Sequence, residues 1–297
     1  MTFTKYVLCA ALATWTMAAG AADEPRLKPF VLASRGAGDL QKATEEVKGK
    51  LGAAGFTVAG TYEPYPGAVV LAVTADDLRA AAAQTRFGGY AAAQRVTLTK
   101  VGDELQVAYT NPVYMAAAYR LKADLAPVAA RLAKALGALE AFGPPEGITA
   151  KDLDRYRYMF GMPRFDDPWK LAFFGSHAEA VAAVEAGLAS GRGGTKRVYR
   201  IDVSPDETVF GVALADGCGG DASVMHEIDF KPVRSTAHLP YEILVSKTEV
   251  RALHAKFRIA VNFPDLSMMG AHSFMKISCA PDSIEAALAA AAGATGN

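Results

Sequence analysis

The chain has 297 residues, 51% of them hydrophobic, and its 31 basic side chains balance 31 acidic ones to a formal net charge of zero. A neutral balance without a basic run excludes the electrostatic footprint of a nucleic-acid or membrane-surface binder. The length exceeds what one compact core ordinarily holds, so two domains are expected.

In chain order, Lys5, the apolar run from Tyr6 to Met17 and the tract Ala19-Gly20-Ala21-Ala22 have the layout of a secretory signal peptide over residues 1–22. The apolar run is too short for a transmembrane anchor, and no lipobox precedes Cys9. The mature protein is therefore expected to be soluble, exported and periplasmic. Cleavage after Ala21 or Ala22 leaves two cysteines, Cys218 and Cys279. In an oxidising compartment an isolated pair outside any CxxC motif is expected to form a disulfide.

Next comes an internal repeat. From Asp39 the pattern is an amphipathic helix burying Leu40, Ala43, Val47 and Leu51, a stop at Gly55, a strand, a proline-bearing turn and a second strand. From Gly175 the same plan returns. A helix buries Ala180, Val181, Val184 and Leu188, opens on the capping-box pair Ser176 and Glu179, and stops at Ser190 to Gly194. Each half continues with a hairpin and a last helix. Pro264 is matched to Pro112, Met268 to Met115, and Ala280-Pro281 to Ala126-Pro127. The expected class is α+β: two related domains, residues 27–142 and 170–293, each a mostly antiparallel sheet with helices on one face. Residues 143–169 form a linker with a short helix from Thr149, on which Tyr156 and Phe160 would share a face and dock against both lobes.

The segment from Leu40 to Pro64, with Gly55, Phe56 and Val58, and the later Tyr109, Asn111, Pro112, Tyr114 and Met115 resemble the domain-of-unknown-function family 302. HLPYEILV from His238 is similar to that family's later "LP" strand. The resemblance implies a compact α+β domain and supplies no catalytic residue.

Chemistry is sparse. No GxSxG, HExxH, GxGxxG or phosphate-loop lysine motif is present. The glycine-rich run Ser190 to Gly194 follows a helix, whereas phosphate loops precede one. The pairs Asp76-Asp77 and Asp166-Asp167 flank turns and point apart. His177 is expected in solvent near a helix start, His254 at a surface or sheet edge, and His238 at the opening of a strand. His226 lies in VMHEIDF, where strand alternation puts Val224, His226, Ile228 and Phe230 on one face, with Met225, Glu227 and Asp229 on the other.

The stretch Ser267 to Pro281 concentrates sulfur and imidazole. As a strand it would bury Met275, Ile277 and Cys279; as a helix it would align Met268, His272 and Met275. Thioether with imidazole suits Cu(I), making Met269, His272 and Met275, with His226, the candidate ligands for copper or haem. Packing by Met268 and its neighbours is the reading favoured. The expected function is periplasmic binding of a small ligand or metal, in the cleft between lobes or on the second lobe. The rivals are an enzyme with its site around His226 and a protein-partner module.

Overall fold

The computed structural model describes residues 24–215 and 217–293; the signal-peptide reading and Cys9 lie outside them. The first lobe runs β1 (Arg26–Leu27), β2 (Phe30–Ala37), α1 (Leu40–Ala53), β3 (Thr57–Tyr62), β4 (Ala68–Thr74) and α2 (Asp76–Ala83). It continues through β5 (Gln94–Val101), β6 (Glu104–Thr110), α3 (Pro112–Ala118), α4 (Ala126–Leu136) and β7 (Glu140–Phe142). The linker carries β8 (Ile148–Thr149) and α5 (Ala150–Asp154). The second lobe runs β9 (Trp169–Phe173), α6 (His177–Ala189), β10 (Thr195–Ser204), β11 (Glu207–Leu214) and α7 (Asp221–Ile228). It ends with β12 (Tyr241–Ser246), β13 (Glu249–Ala252), α8 (Ala255–Asn262) and α9 (Ala280–Ala291).

The fold is α+β; β1 and β8 pair as a small two-stranded sheet, and the two large sheets share one plan. The strand order is β3-β4-β5-β6-β2-β7 in the first and β10-β11-β12-β13-β9 in the second, antiparallel at every pairing. Element for element, α1, α2, α3 and α4 stand where α6, α7, α8 and α9 stand in the other lobe. Local chemistry sets the helix starts. Asp39 accepts from Lys42 N at 2.8 Å, and Ser176 accepts from Glu179 N at 3.2 Å, each satisfying an orphan donor. The expected core positions of α6, Ala180, Val181, Val184 and Leu188, are buried; in α1, Val47 and Leu51 are, while Leu40 and Ala43 are only partly covered.

One expected correspondence fails. With Pro264 matched to Pro112, the second hairpin's last strand is expected to run up to Pro264, yet the chain leaves β13 at Ala252 and forms α8. His254 opens that helix, its Nδ1 accepting from Lys256 N at 3.2 Å. Pro264 therefore follows a helix, whereas Pro112 begins one, and Met115 on α3 has its counterpart on α8 rather than at Met268. The linker differs too. Its helix, capped by Thr149, ends at Asp154, so Tyr156 and Phe160 share no helical face. Tyr156 donates to Ala260 O at 2.9 Å, and Phe160 is 97% exposed. Leu153 and Phe165 of the linker are buried between the lobes, Phe165 stacked on Tyr119 at 5.4 Å.

Each lobe has an apolar core under its helices, and a third core lies between the lobes. Strand alternation explains the division. In β5, Val96 and Leu98 face the helices of their own lobe, while Arg95, Thr97 and Thr99 occupy the other face and are also buried. In β12, Tyr241, Ile243 and Val245 face the second lobe's helices, while Glu242 and Leu244 face inward. The sheets thus turn their inner faces to one another, with helices outside. The approach is close: a Cβ on Gly60 of β3 would overlap the carbonyl oxygen of Val198 in β10. The segments before β5 and β12 cross over. Gly89 N donates to Glu207 Oε1 at 2.8 Å on the second sheet, and Thr236 shares a 2.8 Å hydrogen bond with Thr99 on the first.

At the centre of this interface lies a buried charge cluster. Arg95 of β5 pairs with Glu242 of β12, and Arg258 of α8 reaches the other oxygen of Glu242 at 3.1 Å. All three side chains are about 1% exposed. Arg258 also donates to Tyr119 Oη at 2.8 Å and to the carbonyl oxygens of His238 at 2.6 Å and Pro240 at 3.1 Å. Tyr199 donates to Glu242 at 3.3 Å. His238 completes the wall, its Nδ1 accepting from Asn262 Nδ2 at 2.8 Å and its Nε2 lying 3.1 Å from the Tyr241 hydroxyl. Burial, then Arg258 and Arg95, hold the His238 pKa well below its ordinary value, so it stays neutral beside two guanidinium groups.

Two cations share one anion here, which fixes the order of sensitivity. Glu242→Gln leaves both guanidinium groups without a counter-charge and should cost roughly 3–5 kcal/mol in urea unfolding. Arg95→Met leaves the Glu242–Arg258 pair intact and should cost clearly less. The reverse order would show that Glu242 is not what neutralises the interface.

Candidate ligand-binding cleft between the lobes

A cleft of about 1070 Å³ lies beside this interface. The first lobe supplies Tyr65, from the turn between β3 and β4, and Thr99 and Lys100 of β5. The second supplies Met225, His226 and Glu227 of α7, then Asp229, Phe230 and Arg234, and Lys276 from the segment before α9.

A hydroxyl chain ties the two walls. Tyr65 Oη lies 2.8 Å from Thr236 Oγ1, which lies 2.8 Å from Thr99 Oγ1. Burial, with Asp229 nearby, pushes the Tyr65 pKa well up, so its phenol keeps its proton. Two carboxyl groups bracket α7. Asp221, in its first turn, accepts from Leu214 N at 3.1 Å and from Tyr62 Oη of the first lobe at 3.4 Å. Asp229, at its end, accepts from Ser235 N at 2.8 Å on Oδ1, while its carbonyl takes the Arg234 guanidinium. The Oδ2 of Asp229 and the Oδ1 of Asp221 have no partner among the described residues. Burial pushes both acids up to about 7; the hydrogen bond from Leu214 opposes the shift at Asp221, and that from Ser235, with Arg234 and Lys231, opposes it at Asp229.

His226 lines the cleft, but on a helix rather than a strand. Gly220 and Asp221 start α7, and Val224, Met225 and Ile228 form its buried face, so His226 and Phe230 do not share the apolar side with Val224 and Ile228. VMHEIDF supports both periods over so few residues; the helical one is realised, with Met225 buried beside Val224 and Ile228 while His226 is exposed.

The segment from Ser267 to Cys279 is neither the strand nor the helix considered from sequence. Ser267 and Ser273 form an isolated bridge, Gly270 takes a φ of 117°, and a short 3-10 turn covers Phe274–Ile277. Ile277 is buried, whereas Met275 is 57% and Met269 77% exposed, so the Met275, Ile277, Cys279 alternation makes no buried face. Met268 lines a small apolar hollow with Met162, Tyr158 and Phe263. His272 stacks on Phe230 at 4.3 Å, and its Nδ1 lies 3.1 Å from the carbonyl of Glu227. His226 and His272 thus both border α7, while the two methionines stand in solvent. Among the described residues no group of three or more His, Cys, Asp or Glu side chains is placed to share a metal ion.

Cys218 and Cys279 are joined as a disulfide, their Cα atoms 6.2 Å apart. The bond ties the loop before α7 to the start of α9, beside Lys276 and Ile277 of the cleft wall.

The other histidines are fixed by local contacts. His177 bonds to Lys247 O at 3.2 Å and to Thr208 Oγ1 at 3.1 Å rather than standing free in solvent. His254 packs against Trp169 with the rings tilted and their centroids 4.4 Å apart, and burial pulls its pKa down to about 4. His238 precedes β12 inside a 3-10 turn and is wholly buried, so it does not open the strand.

Comparisons with protein-family models, curated proteins and solved structures find no match to this chain. The resemblance to family 302 therefore stands on its sequence motifs alone.

The buried acids set a pH dependence. Each has an ordinary pKa of 3.8 and a folded value raised to about 7. Below pH 4 folded and unfolded chains both hold these protons. Between 4 and 7 the unfolded chain has released them while the folded one retains them, so stability falls as pH rises, then levels above 7. The loss is up to about 4 kcal/mol per group. Asp229→Asn, which keeps an acceptor for Ser235 N–H, should gain stability relative to the parent chain between pH 5 and pH 8 in urea titrations. A difference that stays constant with pH would contradict the burial of an ionisable carboxyl there.

Proposed function

We propose that the protein is an exported binding protein whose ligand occupies the cleft between the two lobes. The observation that carries this reading is the composition of that cleft. Both lobes line it, and it combines hydroxyl, carboxyl, imidazole and cationic groups with the ring of Phe230 and the thioether of Met225. A concave site at a domain interface with a few convergent polar groups and perturbed acids is where ligands concentrate. Export rests on the leader-like Met1 to Ala22. The copper or haem set of Met269, His272, Met275 and His226 has weaker support, because its two thioethers are largely exposed while only His226 lines the cleft. One observation favours an enzyme instead: Asp229, whose buried carboxyl is pushed up to about 7, borders the cleft that His226 also lines.

The test is a thermal-shift screen of small polar molecules, with Cu(I) and haem included, followed by amide hydrogen exchange on each hit. A ligand that raises the melting temperature should protect α7 and the Tyr65 turn. Phe230→Ala and His226→Ala should each weaken it about tenfold. Hits that protect the Met269 to Met275 segment alone would move the site to the metal reading, and turnover of a cleft ligand would make the protein an enzyme.

A further inference from the structure

The cleft also carries information about the charge of its ligand. This inference rests on the cleft being a ligand site. Three cationic side chains line it: Lys100 from the first lobe, Arg234 and Lys276 from the second. Among the described residues none of the three forms a salt bridge, whereas the neighbouring Lys231 pairs with Asp265. Against them the cleft sets the carboxyl groups of Glu227 and Asp229.

Asp229 does not behave as a free anion. It is 5% exposed, and with a value of about 7 it keeps its proton for much of the time at neutral pH. Its Oδ1 already accepts from Ser235 N–H, so the proton belongs on Oδ2, the oxygen without a partner. With the Asp229 carboxyl enclosed, a cationic ligand would face three like charges against Glu227 alone at the cleft surface.

We infer that the cleft takes a small organic anion, its carboxylate or phosphate oxygens received by Lys100, Lys276 and Arg234, and its apolar part resting on Phe230 and Met225. Two lysines and one arginine from opposite walls suit a ligand that bridges the lobes. Met225 is 2% exposed and forms floor, while Phe230, 44% exposed, offers a ring face at the mouth.

The experiment is a titration of the intact, oxidised protein by amide NMR with five probes: benzoate, phenyl phosphate, inorganic phosphate, benzyl alcohol and benzylamine. Benzoate or phenyl phosphate should shift the amides of α7 and of Lys100. Which binds tighter separates a carboxylate from a phosphate ligand, and inorganic phosphate alone reports the anion locus without the apolar part. Lys100→Met and Lys276→Met, both at exposed positions, should each weaken the anion about five- to tenfold, while Lys→Arg at either position restores most of it. Cleft shifts from benzyl alcohol or benzylamine equal to those from benzoate would overturn the anion inference and leave the cleft reading standing. If no probe shifts the cleft amides, the cleft reading itself fails and the inference with it.

Discussion

A single glutamate stands between two guanidinium groups at the centre of this molecule, and the arrangement of both sheets depends on it. Arg95 comes from a central strand of the first sheet, Glu242 from a central strand of the second, and Arg258 from the helix that follows the second hairpin. Taking such charges out of water is costly, and close pairing has to offset it. Tyr119, Tyr199 and the carbonyls of His238 and Pro240 supply further contacts, while the Nε atoms of Arg95 and Arg258 have no partner among the described residues. The cluster therefore selects one registration of sheet on sheet, whereas the apolar residues around it would tolerate many.

That registration has consequences outward from the centre. Once the sheets are fixed face to face, the Thr236 segment lies on the first sheet and the Gly89 segment on the second, the same crossing made once by each lobe. The crossing draws Tyr65 toward Thr236 and α7 toward Tyr62, and the space left beside them is the cleft. Its polar character has the same origin as that of the interface. The inner faces of β5 and β6 carry Thr99 and Gln106, whose partners come from the other lobe: Thr236 Oγ1 at 2.8 Å from Thr99 and Pro232 O at 2.8 Å from Gln106.

The parts of the fold legible in the sequence were those set by near neighbours. The Ser176 cap, the apolar stripe of α6 and the shared order of elements follow from spacing alone. The Cys218–Cys279 pairing followed from a count. The inner faces were not legible, because Arg95, Thr97 and Thr99 alternate with aliphatics in the manner of a solvated sheet face, and only the other lobe buries them. Arg95 and Glu242 are far apart in the chain, and no local spacing links them. His226 lines the cleft, but not through the strand spacing: a seven-residue segment satisfied the strand period, while the tertiary core chose the helix. The Met-rich stretch misled similarly. It was compared with the segment around Met115, whereas α8 fills that role, and the stretch itself joins α8 to α9 without a period of its own. Asp229, Arg234 and Lys276 are scattered through loops and helix ends, so only the folded chain gathers them with Tyr65.

The central claim is that the two sheets form one cooperative unit closed by the Arg95–Glu242–Arg258 cluster. Native-state hydrogen exchange on the amides of β5 and β12 tests it most directly. If the cluster locks the lobes together, both strands exchange only through global unfolding, with opening free energies equal to within about 1 kcal/mol. Two well-separated values, with one sheet opening while the other stays closed, would contradict the account.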